Sequence, residues 1–173
     1  MGTPLSSPTT TFVPGVKFRA IGDYIDVAIF DLKPVPWKDF VTKEVKVGDD
    51  GKPRTQDLVT GIVIGGSATI KVDDTERAVN ADESVSLYFA GHHRWEFVQA
   101  QKALDGGLQV GDVLRVKYDR DEPSKAGNPK KVWTVQIRRA KPDEAARSAR
   151  CEELRAGAAT PLDDGPDPES EPF

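Results

Sequence analysis

Ser84-Val85-Ser86-Leu87-Tyr88-Phe89-Ala90-Gly91-His92-His93-Arg94-Trp95-Glu96-Phe97-Val98-Gln99-Ala100-Gln101-Lys102-Ala103-Leu104-Asp105-Gly106-Gly107-Leu108-Gln109-Val110-Gly111-Asp112-Val113-Leu114-Arg115-Val116-Lys117-Tyr118 carries two hydrophobic periods in succession. Val85, Leu87 and Phe89 alternate with Ser84, Ser86 and Tyr88, the period-two pattern of a strand. From residue 92 the period changes. Trp95, Phe97, Val98, Ala100 and Leu104 sit at helical spacing, and Gly106-Gly107 stops the helix. Val110, Leu114, Val116 and Tyr118 then alternate with Val113, Arg115 and Lys117, which predicts the next strand.

Working outward, the N-terminal side predicts two more strands. Ile21, Asp23, Ile25, Val27 and Ile29 share one face and Gly22, Tyr24, Asp26, Ala28 and Phe30 the other, with Gly22 a candidate bulge. Lys33-Pro34-Val35-Pro36 should end that strand, because proline cannot donate to a ladder. Residues 33–53 form a long connection closing in Gly48-Asp49-Asp50-Gly51. Leu58, Thr60, Ile62 and Ile64 alternate with Asp57, Val59, Gly61 and Val63 until Gly65-Gly66. Ala68 to Val72 is a short β-type run before a polar excursion over residues 73–83. On the C-terminal side, a Pro/Gly/Asn loop leads from Asp119 to Lys131, and Trp133, Val135 and Ile137 alternate with Val132, Thr134, Gln136 and Arg138. The chain therefore divides into a flexible Ser/Thr/Pro-rich arm (1–15), one domain (16–139), a linker or short polar helix (140–160) and a tail (161–173).

Strand, strand, strand, helix, strand, strand is the element order of the OB-fold, a mainly β, five-stranded Greek-key barrel with one helix between its third and fourth strands. Residues 16–139 also resemble OB-like proteins of actinobacteria and their phages. The likeness rests on Phe18 with Ile21-Gly22-Asp23, Ser86-Leu87-Tyr88-Phe89-Ala90-Gly91, Leu108-Gln109-Val110-Gly111-Asp112 and Asn128-Pro129-Lys130-Lys131. The resemblance implies single-strand binding.

Composition narrows the function classes. There are 24 Lys and Arg against 28 Asp and Glu, a net charge of −4. Residues 161–173 alone hold five carboxylates and no cation, so residues 1–160 carry 24 basic against 23 acidic side chains, or +1. The acidity thus belongs to the tail and does not argue against a polyanion partner for the body. A single cysteine, Cys151, excludes an intrachain disulfide or zinc framework and fits a reducing, cytoplasmic setting, where its position in a charged segment gives it no evident role. No apolar run is long enough to span a membrane, and no basic-then-apolar leader opens the chain. Enzyme signatures are missing: His92-His93 are adjacent and face different ways, no Gly-rich phosphate loop is present, and no Ser or Cys stands in a nucleophile motif. The reading is a binding protein with no catalytic residue, cofactor or metal.

Two stretches look like binding surface. Residues 33–54 interleave Lys33, Lys38, Lys43, Lys46, Lys52 and Arg54 with Trp37 and Phe40, and against four acids the net is +2. From Arg115 to Arg139 eight basic residues, among them Lys117, Lys125, Lys130 and Lys131, face three acids, a net of +5. Cations track phosphates while aromatic rings stack on bases. In OB-folds the loop after strand one and the loop between strands four and five border the ligand. Tyr24, Phe30 and Tyr88, out of phase with the inferred core, are candidate stacking rings. Trp37 reads equally well as a lid over the barrel mouth.

The tail Asp163-Asp164-Gly165-Pro166-Asp167-Pro168-Glu169-Ser170-Glu171-Pro172-Phe173 cannot bury enough apolar area to offset chain entropy and should be disordered. It resembles the C-terminal tip of bacterial single-stranded DNA-binding proteins, an acidic run closed by Pro-Phe. That resemblance implies a docking peptide for replication and repair proteins, with the ring of Phe173 after Pro172 filling an apolar pocket of the partner and a basic rim taking Asp163, Asp164, Asp167, Glu169 and Glu171. The expectation is a homo-oligomeric single-stranded DNA-binding protein. A β-barrel protein-interaction module or inhibitor is the rival reading, and an RNA-binding OB protein a third.

Overall fold

The computed structural model describes residues 13–39, 41–124 and 127–164, with side chains as far as 157. The chain is mainly β. It comprises β1 (Val16–Lys17), β2 (Tyr24–Pro36), β3 (Thr55–Gly66), β4 (Thr69–Val72), β5 (Thr75–Ala78), β6 (Ser84–Phe89), α1 (His92–Lys102), β7 (Val113–Glu122), β8 (Lys130–Arg138), a 3-10 turn (Pro142–Glu144) and α2 (Ala145–Asp164). Two antiparallel sheets form. The larger runs β6-β3-β2-β7-β8 and the smaller β1-β4-β5.

The main core lies between the inner face of the large sheet, α1 and the small sheet. Ile25, Val27, Ile29, Val59, Val63, Val85, Leu87, Leu114 and Val116 supply the large-sheet side, Phe97 the helix, and Phe18, Ile70 and Val79 the opposite wall. Phe89 and Phe97 stack at 4.5 Å, and Trp133 meets Phe89 edge-on at 5.8 Å. Among the described residues β6 and β8 do not pair, so the expected closed five-stranded barrel is not present. Instead α1 packs against both strands.

Several boundaries differ from the sequence reading, each for a physical reason. β2 does not stop before its prolines: Pro34 pairs with Asp57 and Pro36 with Thr55. Both lie beyond Ala28, the last residue of β2 paired with β7, so their missing N–H groups fall on an unpaired edge. Gly22 (φ +101°) sits in the turn before β2, where its N–H bonds the Tyr118 carbonyl at 2.8 Å, and the ladder irregularities fall at Asp26/Val27 and Ile29/Asp31. Ile21, placed on the core face by its phase, is 59% exposed. The polar excursion contains β5, joined to β4 through Asp73 (φ +52°) and Asp74 (φ +66°), a left-handed pair that aspartate tolerates.

The largest departure is at the C-terminus. Residues 140–160, read as a linker or short helix, contain most of α2, which packs on the outer face of β2. Cys151 is fully buried there with Ala28, Phe30 and Ile62, and Leu154 packs alongside. Cys151 Sγ lies 3.6 Å from the Ala28 carbonyl, and burial pushes its thiol up to about 11. Arg138 grips Glu144 through two bonds of 2.8 and 3.0 Å at the helix entry, and Arg155 pairs with Asp31 farther along. The helix extends to Asp164, four residues into the segment read as the tail, and residues 165–173 lie outside the described residues.

Candidate nucleic-acid interface

Strand register decides which candidates can meet. β2 runs from Tyr24 to Pro36 while β7 runs antiparallel to it, pairing Ala28 with Val113 and Tyr24 with Lys117. The loop at 37–54 therefore leaves one end of β2, and the β7–β8 connection lies past the other. Between them, on the outer face, Ala28 and Phe30 sit under α2. Phe30, a proposed stacking ring, is 6% exposed and is corrected to a core residue. Its alternation was read properly, but the face it joins is closed by a helix that sequence phase did not reveal.

At the Tyr24 end, two rows cross the sheet: Tyr24–Lys117–Thr134 and Asp26–Arg115–Gln136. Tyr24 is 36% exposed, with the Arg115 guanidinium 5.3 Å from its ring centroid. Arg115 also holds Asp26 through two bonds of 2.7 Å. A cavity of about 670 Å³ opens beside this patch, rimmed by Arg115, Arg138 and Lys141 over Val113, Val135 and Ile137. Lys117 and Lys130 are exposed and have no carboxylate within ion-pair distance among the described residues. Lys131 is engaged inward, donating to the Phe18 carbonyl at 3.0 Å and lying 5.1 Å from the Tyr118 ring. Lys125 lies outside the described residues.

The hairpin's positive charge is largely spent within the fold. Arg115 pairs with Asp26, Arg120 with Asp119 and Glu122, Arg138 with Glu144, and Arg139 with Asp112 at 2.6 Å. Asp26, Asp112 and Glu144 come from outside the hairpin's own three acids. Eight cations against six carboxylates leave +2, where residues 115–139 counted alone gave +5.

At the Pro36 end, Trp37 is half-buried. Its backbone N–H donates to the Arg54 carbonyl (3.0 Å), and its own carbonyl accepts from Lys46 (2.7 Å), which folds residues 37–54 back on themselves. Lys46 Nζ lies 4.4 Å and Arg54 Cζ 5.6 Å from the Trp37 ring. Tyr88, 47% exposed, heads a third row, Tyr88–Leu58–Lys33. Lys38 and Lys43 are exposed, Lys43 with φ +65°, and Phe40 lies outside the described residues. Of the tip candidates, Asp163 and Asp164 fall in the last turn of α2, while Asp167, Glu169, Glu171, Pro172 and Phe173 lie outside the described residues.

The sequence reading missed two side chains of α1. Trp95, assigned to the helix's apolar face, is 56% exposed, with His92 stacked on it at 6.0 Å. Arg94 projects beside Trp37 and bonds Asp57 at 3.2 Å. A finer helical projection would have found Trp95, because only Phe97 of α1 is buried and residue 95 lies roughly opposite it, whereas Arg94, one turn before Phe97 on the same side, is brought to Asp57 and Trp37 only by the fold. His93, the other half of the pair at the helix start, stacks flat on Trp133 at 3.7 Å with Nε2 2.9 Å from the Lys131 carbonyl. Burial lowers its pKa below the usual histidine value. No His/Cys/Asp/Glu cluster suited to a metal occurs among the described residues, and no described helix is long and apolar enough to cross a membrane. Compared with protein families, curated proteins and solved structures, the chain finds no match.

Proposed function

We propose that this protein binds single-stranded DNA with little sequence preference, on an OB-type body, and recruits replication, recombination or repair enzymes through its acidic Pro-Phe tip. The observation that carries the reading is the order of the large sheet. β6-β3-β2-β7-β8, with α1 between β6 and β7, supports that reading as the order an opened OB-fold would have, though β4 and β5 form a second sheet and β6 and β8 do not close among the described residues. It leaves a basic loop at each end of β2, and each end carries an exposed or half-exposed aromatic ring with cations beside it: Tyr24 with Arg115 and Lys117, and Trp37 with Lys46 and Arg54. Phosphates would take the cations and bases would stack on the rings, each stack contributing about 1–3 kcal/mol.

The test is fluorescence anisotropy of labelled oligo-dT with the full chain across a salt series. Affinity should fall steeply with salt, with a log–log slope of about −0.7 per phosphate neutralised on a single strand. Absence of binding at low salt would leave the rival, a β protein-interaction module, which the internal pairing of Arg115, Arg120, Arg138 and Arg139 favours. The tip is tested separately. Deleting Pro172 and Phe173 keeps all five acids of residues 163–171, and should abolish capture of partner enzymes while oligo-dT binding survives. Identical partners with and without Phe173 would reduce the segment to a solubilising tail.

A further inference from the structure

We infer that the cavity at the Pro36 end of β2 is a pocket for one nucleotide, with the base on Trp37 and the phosphate on Arg54 and Arg94. For a nucleotide within a strand, this rests on the single-strand reading above. The cavity holds about 300 Å³ and is lined by Trp37, Pro53, Arg54, Thr55, Gly91 and Arg94. That volume is at the lower end of ligand pockets, about 300–1,000 Å³, and suits a single small ligand.

Its chemistry is two-sided. Lys46, 4.4 Å from the Trp37 ring, is not among the lining residues, so the cavity side of the indole is left to Arg54 and to an incoming ring. Arg54 has no carboxylate within ion-pair distance among the described residues, unlike Arg115, Arg138 and Arg139. An exposed arginine with no carboxylate in ion-pair distance can take an anion, although the Asp50 carboxylate and Arg54 Nε both lie beside Gly48. Arg94 has a single bond of 3.2 Å to Asp57, which is 8% exposed. That bond uses Nε and orients the guanidinium while its terminal nitrogens keep their donors. The Thr55 hydroxyl adds a further donor.

Gly91 completes the wall. Its φ is +57°, a left-handed conformation that glycine supplies at the turn into α1, and a Cβ there would make only ordinary contact, 3.7 Å, with Trp37 Cη2. The pocket is therefore assembled from three separate segments: the end of β2, the start of β3 and the entry to α1. An aromatic ring beside a guanidinium that makes no ion pair among the described residues matches a base joined to a phosphate better than it matches either alone.

Two sources share that chemistry: a free nucleotide and one nucleotide of a single strand. The experiment measures quenching of tryptophan fluorescence in the full chain by dTMP, thymidine and inorganic phosphate, and oligo-dT affinity by anisotropy. The chains compared are the natural one, Arg54→Ala, Arg94→Ala and Trp37→Phe, each checked for folding by circular dichroism. dTMP should bind, thymidine and phosphate each roughly tenfold or more weakly, and Arg54→Ala should weaken dTMP roughly tenfold or more. If oligo-dT weakens in parallel, the pocket takes a nucleotide of the strand. If dTMP binds and oligo-dT affinity does not move, the pocket takes a free nucleotide. dTMP binding by a protein that fails to bind oligo-dT keeps the pocket and removes the single-strand reading. Oligo-dT binding that Arg54→Ala and Arg94→Ala leave intact, with no dTMP binding, overturns the pocket and keeps that reading.

Discussion

The two basic stretches at opposite ends of β2 look alike in sequence and differ in what their charges do. In the β7–β8 hairpin the arginines are tied to Asp26, Asp112, Asp119, Glu122 and Glu144, and Lys131 is turned onto Phe18. In residues 37–54 the cations Lys46 and Arg54 lie instead against an indole ring. The first arrangement staples strands and the C-terminal helix together; in the second, Lys46 and Arg54 have no carboxylate within ion-pair distance among the described residues. Net charge counted along a segment cannot tell these apart, because carboxylates that cancel it arrive from other elements. Availability, not number, decides where a polyanion would land.

The covered middle of β2, set between these two open ends, gives the largest predicted effect. Phe30→Ala should lower the unfolding free energy by about 3–5 kcal/mol, the usual cost of deleting a buried Phe. Chemical denaturation measures it. The folded fraction should bind oligo-dT as the natural chain does. A stable Phe30→Ala protein with weakened DNA binding would mean that α2 leaves this face, restoring the stacking role first read from the alternation.

Next come the rings at the two ends. Tyr24→Ala and Tyr88→Ala should each weaken oligo-dT binding by about 1–3 kcal/mol with thermal stability nearly unchanged, since both rings are at least one-third exposed. If only Tyr88 matters, the Pro36 end carries the strand alone and the contrast sharpens. If only Tyr24 matters, the paired hairpin binds after all and the contrast breaks.

The element plan was legible because burial writes itself as period. The bounds of Ser84–Phe89 and the start of α1 at His92 match the reading, while Ser86 is buried against the pattern. β5, with all four residues exposed, has no alternation to read. The role of α2 was hidden because just a few of its apolar residues, Cys151 and Leu154 among them, meet the sheet, in a segment otherwise rich in Arg, Glu and Ala. Candidate residues were legible as types and not as neighbours. Trp37 and Arg54 stood out, while Arg94 and Gly91 join them only through the fold.

A smaller effect separates free from paired cations within the hairpin. Lys117→Ala with Lys130→Ala should reduce the salt slope of oligo-dT binding by about 0.7 per lost phosphate contact. Arg115→Ala should weaken binding more than either lysine change, because it also frees the Asp26 carboxylate beside the groove. Equal losses for all three would mean that Arg115 trades Asp26 for phosphate when DNA arrives.

The smallest effect is a pH dependence at the contact between α1 and the hairpin. His93 lies flat on Trp133, half-buried, near Lys130 and His92, and its pKa is lowered chiefly by burial. A histidine whose folded pKa lies below its unfolded value of 6.5 binds fewer protons folded than unfolded through that window. Its contribution to stability is therefore present above about pH 6.5 and is lost as pH falls through 6.5 toward the lowered folded value. The loss should be less than about 1 kcal/mol, because a half-exposed ring is screened by water. Denaturation midpoints between pH 7.5 and 5.5 should decline in the natural chain and decline less in His93→Gln, which cannot titrate. At the Pro36 end, where the Trp37 cavity is lined by arginines and no histidine, Trp37→Phe should leave that decline unchanged. A decline over pH 7.5–5.5 that persists fully in His93→Gln would remove His93 as its source, and the carboxylates that clamp the hairpin could not replace it, Glu144 first among them. Arg138 and the Lys141 N–H hold that carboxyl at about 2, so its contribution is lost only as pH falls from about 4.5 toward 2.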